Sequence, residues 1–188
     1  MTFFKKSNFS NLLFGLFILL MIAPSSRRFI QLGVQKGLSK IIPANIDSSS
    51  PKKMDSSFVL NLRGVNGADL LLSGEQKKVI IINYWATWCP PCVAEMPAFQ
   101  KLYNTYKDDV VFAFVSNENP DTINSFLKAN TYTLPVYTPL ASLPKELSHT
   151  SLPTTFIIDK QGNIVLHKTG VANWDSDSFF KQLDNLIE

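Results

Sequence analysis

The chain has 188 residues, of which 45% are hydrophobic and 18% are charged, and it contains two cysteines. This composition suits one globular domain with an additional segment, and it excludes a disordered chain. Two cysteines also exclude a disulfide-rich mini-protein and a zinc site with four thiolates. Residues 1–53 carry eight Lys or Arg and one Asp (+7), whereas residues 54–188 carry ten basic and fourteen acidic residues (−4). The positive charge therefore lies outside the domain, which excludes a nucleic-acid-binding domain.

The N-terminal segment contains an apolar run over residues 12–23, preceded by Lys5 and Lys6. Counted from Phe9, the run would form a helix of roughly 22 Å, which is short for a hydrocarbon core about 30 Å thick. The run also fits the hydrophobic part of a secretory signal, although residues 23–25 are a poor cleavage site. We expect an uncleaved membrane anchor, with a signal peptide as the alternative.

A second apolar pattern follows the run, with spacings of four, four and three residues: Ile30, Val34, Leu38 and Ile41. This spacing predicts an amphipathic helix at the membrane interface, and a helix packed on the domain is the alternative. Residues 1–45 are therefore predicted to form the anchor or signal with an amphipathic segment. Residues 46–57, rich in Ser and Lys, are predicted to be a flexible linker, and residues 58–188 the domain.

The domain shows alternating strand and helix patterns. Strands are predicted at residues 58–62, 79–85, 110–115, 154–159 and 163–167. The second of these is continuously apolar, which is typical of a central strand covered on both faces. Helices are predicted at residues 91–106, 121–129 and 175–187, and Phe99, Leu102 and Tyr106 of the first have core-facing spacing. The order predicts an α/β fold with a mixed sheet and helices on both faces.

The candidate reactive centre is a pair of cysteines, Cys89 and Cys92, between a buried strand and a helix. Two cysteines at this spacing can close a small disulfide ring. The free N–H groups and the positive dipole end of the helix stabilise a thiolate, and such settings lower a cysteine pKa to about 3.5–7.5 from about 8.5. We therefore predict that Cys89, the outermost sulfur, is the nucleophile and that Cys92 is the resolving thiol. Pro91 suits the first helical turn because it needs no N–H donor there.

Two motifs resemble the thioredoxin superfamily. Ala86-Thr87-Trp88-Cys89-Pro90-Pro91-Cys92, followed by Glu95-Met96-Pro97, resembles its membrane-tethered TlpA/ResA branch, and residues 152–159 resemble its cis-proline loop. The resemblance covers about residues 55–188. It implies a thioredoxin-like mixed sheet flanked by helices, and a cis Pro153 whose flanking backbone pairs with an extended substrate segment.

The resemblance also implies which residues meet the substrate. The expected substrate-binding residues surround the dithiol and the cis-proline loop: Trp88, Pro90, Pro91, Leu152 and Pro153. Residues 116–145 are expected to contain an added helix and strand, and in the resembled branch such insertions help to choose the partner.

Glu95 follows Cys92 by three residues and is the candidate for proton transfer to it. In the resembled branch a glutamate at this position is partly buried beneath the active site, whereas an ordinary helix-surface glutamate is the alternative. Asn83 stands where classical thioredoxins have a buried Asp, so that acid–base group is absent. His149 is expected to be an exposed loop residue and His167 to have no special role, so no metal site and no cofactor are expected.

The sequence therefore predicts a thiol–disulfide oxidoreductase that acts through Cys89 and Cys92. The resemblance implies that it reduces protein disulfides on the periplasmic or extracytoplasmic side, with electrons from an integral membrane thiol carrier. The alternative is a copper chaperone that holds Cu(I) between the two thiolates without turnover. Met96 is the only methionine near enough to serve as an additional soft ligand for that alternative.

Overall fold

The computed structural model describes residues 11–15, 33–35, 37, 41–47, 52–55, 58–73 and 77–188. Most of the predicted anchor and amphipathic helix lies outside these ranges, including Ile30 and Leu38. Val34 and Ile41 lie inside them, and their side chains are more than half exposed. No helix within the described ranges combines the length and the apolar character that a membrane span requires.

The described residues of the domain form eight strands and three α-helices. The strands are β1 (Lys52–Lys53), β2 (Val59–Gly64), β3 (Leu70–Ser73), β4 (Val79–Tyr84), β5 (Val110–Val115), β6 (Val136–Pro139), β7 (Thr154–Ile158) and β8 (Asn163–Thr169). The α-helices are α1 (Pro90–Tyr106), α2 (Pro120–Ala129) and α3 (Asp177–Ile187), and a 3-10 helix covers Lys145–Leu147. The predicted strands and helices are all present, with ends that differ by at most two residues.

One mixed sheet joins the strands in the order β1-β8-β7-β4-β5-β6-β2-β3. β4 and β5 are parallel, as are β5 and β6, while the remaining pairs are antiparallel. All six residues of β4 are buried, as its continuous apolar sequence predicts. The carboxyl ends of β4, β5 and β6 therefore lie along one edge of the sheet.

The two faces of the sheet are covered differently. Val79 and Ile81 of β4 belong to a core cluster to which all three α-helices contribute buried residues. Ile80, Ile82 and Tyr84 belong to a second cluster, whose helical member within the described residues is Leu147 of the 3-10 helix. The connections β4–α1–β5 and β5–α2–β6 advance in the same direction, so right-handed crossovers place both helices on the same face. The sheet is flanked by helices as predicted, but the α-helices share one face.

Two short strands, β1 and β3, were not predicted, and β1 changes the expected boundary of the domain. Residues 116–145, which were expected to contain an added helix and strand, contain α2 and β6, and the 3-10 helix begins at the end of this range. β1 pairs with β8 inside the predicted linker, residues 46–57, and Met54 beside it is buried. Ala44 is also fully buried. The described residues around the predicted linker thus pack on the domain, which extends further toward the N-terminus than residue 58.

Candidate active site

The cysteine pair lies where β4 ends and α1 begins. Cys89 is the N-cap residue of α1, and its Sγ accepts a hydrogen bond from the Cys92 N–H at 3.3 Å. The two sulfurs form a disulfide, and Pro90 and Pro91 occupy the first helical positions without leaving an N–H unpaired. The same N–H and the helix dipole are available to a Cys89 thiolate after reduction. The local structure therefore supports a stabilised thiolate at position 89.

The two cysteines differ little in exposure. Cys92 is fully buried and Cys89 is 3% exposed, whereas the neighbouring Trp88 is 67% exposed. Pro90 and Pro91 are half-buried beside them. Cys89, which keeps a slight exposure and adjoins the exposed indole ring of Trp88, is the more accessible of the two to a reacting sulfur from another protein.

The loop before β7 carries the second motif. The Leu152–Pro153 peptide bond is cis, as the resemblance implied. The Pro153 carbonyl accepts a hydrogen bond from the Gly170 N–H (2.9 Å), and the Thr154 hydroxyl donates to the Ser151 carbonyl (2.8 Å). Leu152 packs against the core cluster that contains both cysteines. The structure thus brings the two motifs together, and contact of Leu152 and Pro153 with substrate stays a prediction.

A groove of about 200 Å³ extends from the cis-proline loop along the carboxyl ends of β4, β5 and β6. We call it the rim groove. It is lined mainly by aromatic and aliphatic side chains, with a few polar groups: Tyr84, Trp85, Trp88, Leu143, Leu152, Ser116, Glu118 and His149 among them. Tyr84 Oη and Trp85 Nε1 are buried without a hydrogen-bond partner. Burial also raises the pKa of Tyr84 above its usual range.

One of the two histidines is placed differently from its prediction. His149 was expected to be an exposed loop residue, but it is half-buried in the rim groove because its ring stacks on Tyr84, with centroids 4.0 Å apart. His167 stacks on Phe156 (4.3 Å). Burial, with smaller contributions from Lys52 and His149, lowers the pKa of His167. Over the described ranges, no three or more His, Cys, Asp or Glu side chains are grouped as metal ligands.

Glu95 is a buried carboxyl group on α1, three residues after Cys92. Its side chain is 1% exposed, and its Oε1 accepts hydrogen bonds from the Ala172 N–H (2.7 Å) and from Trp174 Nε1 (2.6 Å). Its Oε2 has no hydrogen-bond partner. These contacts exclude the alternative of an ordinary glutamate on the helix surface.

The environment of Glu95 favours its protonated form. Burial raises the pKa of Glu95 from 4.5 to about 8, and the two donors and Lys168 oppose this change without cancelling it. Oε1 already accepts two hydrogen bonds, so the proton belongs on Oε2, which has none. Glu95 and Cys92 stand three residues apart on α1, a spacing at which helical side chains are neighbours. Glu95 is therefore a titratable group close to the resolving cysteine.

Asn83 occupies a buried position on β4. Its Nδ2 donates to the Thr155 hydroxyl at 2.9 Å, and its Oδ1 is buried without a partner. An amide does not titrate near neutral pH, so Asn83 contributes no acid–base group. Met96, which the copper alternative would need, is fully buried in the core cluster that also contains Cys89 and Cys92.

Glu118 is a site residue that sequence reasoning missed. Its Oε2 accepts a hydrogen bond from the Thr87 N–H and its Oε1 accepts one from the Thr87 hydroxyl, both at 2.7 Å. The Ser116 hydroxyl donates to Oε2 at 3.2 Å. Glu118 follows β5, the parallel neighbour of β4, and ligand-binding residues collect at such carboxyl ends. Its position after that strand was the signal available in the sequence.

A cysteine pair at the start of the helix after a central strand, together with a cis proline just before the strand that pairs with that central strand, is the arrangement of thioredoxin-like proteins. Comparison with known proteins agrees with this class. The Redoxin family matches residues 50–187, and the chain belongs to that family.

Comparison with individual relatives indicates which reaction the protein catalyses. The chain is 31% identical over 118 residues to sporulation thiol-disulfide oxidoreductase A of Bacillus subtilis, covering 60% of this chain and 71% of the relative. It is 32% identical over 127 residues to thiol-disulfide oxidoreductase ResA of Halalkalibacterium halodurans, covering 66% and 72%. The crystal structure of StoA from Bacillus subtilis superimposes with a TM-score of 0.55 at 28% identity, over 70% of this chain and 97% of that one. With the paired cysteines, these relatives show that the protein is a thiol–disulfide oxidoreductase.

A more distant structure supports the fold alone. A putative thiol:disulfide interchange protein DsbE from Chlorobium tepidum superimposes with a TM-score of 0.61 at 23% identity, over 74% of this chain and all of that one. The predicted thioredoxin-like α/β fold with a mixed sheet is therefore confirmed.

Proposed function

We propose that the protein is a membrane-anchored oxidoreductase that reduces protein disulfides outside the cytoplasm. The observation that carries the chemistry is the position of Cys89 as N-cap of α1, with the Cys92 N–H directed at its sulfur. The Cys89 thiolate attacks one sulfur of a substrate disulfide, so that a mixed disulfide forms and one substrate thiolate leaves. The Cys92 thiolate then attacks Cys89, the second substrate thiol leaves, and the Cys89–Cys92 disulfide closes. The substrate gains two electrons and two protons.

Glu95 supplies the proton step of this scheme. Cys92 must lose its proton before it can attack Cys89, and it is fully buried, so solvent has little access to it. A neighbouring carboxylate whose pKa is about 8 is close to the pH at which a general base works best. In its ionised form, Glu95 takes the proton of Cys92 on Oε2, the oxygen without a hydrogen-bond partner.

The substrate-binding surface combines the two motifs. Trp88, Pro90 and Pro91 lie on the dithiol side, and Leu152 and Pro153 form the opposite side. An extended segment of the substrate lies between them, so that its disulfide reaches Cys89. The apolar character of Trp88 and Leu152 suits a protein substrate rather than a small charged thiol.

The membrane anchor and the electron donor complete the proposal. The apolar run at residues 12–23 and the charge of +7 in residues 1–53 support attachment to a membrane. The resemblance to the TlpA/ResA branch supports the reducing direction, with an integral membrane thiol protein that returns two electrons to the Cys89–Cys92 disulfide. Retention of the full chain in the membrane fraction after alkaline extraction tests the anchor, and release into the supernatant would contradict it. An equilibrium potential near that of thioredoxin, about −270 mV, supports reduction, and one near that of DsbA, about −120 mV, would contradict it.

The central experiment measures insulin reduction by the full chain and by two matched variants. The wild-type protein should reduce insulin, and Cys89→Ser should be inactive because the nucleophile is lost. Cys92→Ser should also stop turnover but accumulate a mixed disulfide with insulin, visible on a non-reducing gel. Activity in Cys89→Ser, or no adduct with Cys92→Ser, would contradict these roles. Stoichiometric copper in freshly purified protein without reductase activity would instead support the copper chaperone.

A second experiment isolates the role of Glu95. Replacement by Gln keeps an acceptor for Ala172 and Trp174 but removes the titratable group. We expect the pKa of Cys92 and the rate at which Cys92 resolves the mixed disulfide to change, while the attack by Cys89 is altered less. If both thiols titrate and exchange as in the wild type, Glu95 has no part in proton transfer.

A further inference from the structure

The rim groove contains one acidic side chain, Glu118, and neither Lys nor Arg lines it. The ion pair found in the described part of the chain joins Lys101 to Asp175, so Glu118 has no basic partner there. Glu118 is half-buried, whereas a carboxylate without a basic partner is more often fully solvated. A half-buried carboxylate at the edge of a largely apolar groove attracts a cation more strongly than an exposed one does.

The position of this carboxylate is fixed relative to the nucleophile. Both of its oxygens accept hydrogen bonds from Thr87, which lies two residues before Cys89. The Ser116 hydroxyl adds a third bond. A carboxylate can accept about four hydrogen bonds, so one position stays available to a further donor.

We infer that Glu118 selects protein substrates that carry a Lys or Arg side chain close to the reactive disulfide. This inference rests on the proposed function, because it concerns the substrate of the same dithiol. The cationic group donates to the remaining lone pair of Glu118 in a charge-assisted hydrogen bond. The exposed indole ring of Trp88, on the same groove, contacts the aliphatic part of that side chain and adds a cation–π contribution.

The test uses three synthetic peptides, each with one cysteine blocked as a mixed disulfide with 2-nitro-5-thiobenzoate. They differ only at the residue two positions from the cysteine, which is Lys, norleucine or Glu. Release of the coloured thiol by the reduced full chain gives a second-order rate constant for each peptide. We expect the Lys peptide to react about tenfold faster than the Glu peptide at low salt, which corresponds to about 1.4 kcal/mol. This ratio should fall as salt is added, since surface charges are then screened.

Two matched variants separate the groove carboxylate from the net charge of the domain. Glu118→Gln should reduce the ratio of the rate constants for the Lys and Glu peptides to about twofold. The preference that is left would reflect electrostatic steering by the net charge of −4 on residues 54–188. Asp121→Asn removes the same charge from an exposed residue at the start of α2, outside the groove, and should keep the ratio of the wild type. Equal loss of the ratio in both variants would overturn the inference.

A third variant guards against a merely structural role of Glu118. Thr87→Val removes the hydroxyl donor but keeps the carboxylate and the backbone N–H, so the ratio should persist. If Thr87→Val loses the ratio as Glu118→Gln does, the carboxylate only holds the loop and the inference is wrong. If the wild-type protein reduces all three peptides at one rate, the inference fails while the proposed function stands. If it reduces none of them and no insulin, the proposed function itself fails.

Discussion

Two glutamates beside the dithiol show how differently the same side chain is used in two environments. Glu95 is buried on the helix side, with two donors on Oε1 and none on Oε2. Glu118 is half-buried at the groove edge, and its two oxygens share three donors from Thr87 and Ser116. Burial raises the pKa of Glu95 to about 8, and its two hydrogen-bond donors oppose this change only in part. Burial therefore makes Glu95 a proton-exchanging group, whereas three hydrogen bonds at the half-buried edge of the groove hold the Glu118 carboxylate in a fixed position.

The two glutamates differ because their hydrogen-bond donors come from different elements of the fold. Glu95 is on α1, and its donors come from the segment between β8 and α3, which closes over it so that water is excluded. Glu118 lies at the end of β5, and its donors come from the loop after β4 and from Ser116 beside it. The carboxyl ends of neighbouring parallel strands open toward solvent, so a carboxylate there stays partly hydrated.

The largest expected effect that tests this comparison is on the pH dependence of stability. The pKa of Glu95 is about 8 in the folded protein, above its ordinary value of 4.5. Between these two pH values the folded protein therefore holds a proton that the unfolded chain has already released. The free energy of unfolding should therefore fall as pH rises through this window, by about 4 kcal/mol between pH 5 and pH 9. Glu95→Gln mimics the protonated acid and should largely remove this decrease.

Urea unfolding of the oxidised full chain at several pH values measures this effect, because the disulfide keeps both thiols from titrating. The wild type and Glu95→Gln should have similar stability near pH 5 and differ most near pH 9. Equal slopes for the two proteins would show that Glu95 does not hold a proton in the folded state.

A smaller effect is expected when one donor to Glu95 is removed. Trp174→Phe deletes the Nε1 donor but keeps an aromatic ring against Phe99 and Phe179. The donor stabilises the ionised carboxylate more than the neutral acid, so its loss should raise the pKa of Glu95 further. Unfolding in urea should show a loss of about 1–3 kcal/mol that is larger at pH 9 than at pH 6. The smaller ring costs the same at both pH values, so an equal loss would indicate a packing effect only.

Local sequence patterns were sufficient for the central part of this site. The apolar run of β4, the core-facing spacing in α1 and the Cys89–Cys92 pair lie within one continuous segment. The cis Pro153 followed from its motif, because tertiary contacts that fix a minority isomer are shared within a family. The first three features depend on residues close together in the chain, whereas the cis bond was implied by the resemblance, and the structure has all of them where they were predicted.

The partners of both glutamates depend instead on contacts between distant segments. Ala172 and Trp174 lie 77 and 79 residues from Glu95, and Thr87 lies 31 residues from Glu118. Such contacts follow from the strand order and from loop conformations, which hydrophobic periodicity does not report. β1 and β3 were missed for a related reason, since they have only two and four residues and too few alternations to be distinguished from a loop.

The smallest expected effect concerns the Glu118 side of the comparison. Thr87→Val removes one neutral donor to that carboxylate and should lower the free energy of unfolding by about 1 kcal/mol. Thr105→Val makes the same substitution on the exposed face of α1, where the hydroxyl donates to the Lys101 carbonyl, and should change stability by less than about 0.5 kcal/mol. Because Thr87 does not contact Glu95, urea unfolding should give the same loss for Thr87→Val at pH 6 and pH 9. A loss that grows with pH would show that the two carboxyl sites are coupled through the active-site loop.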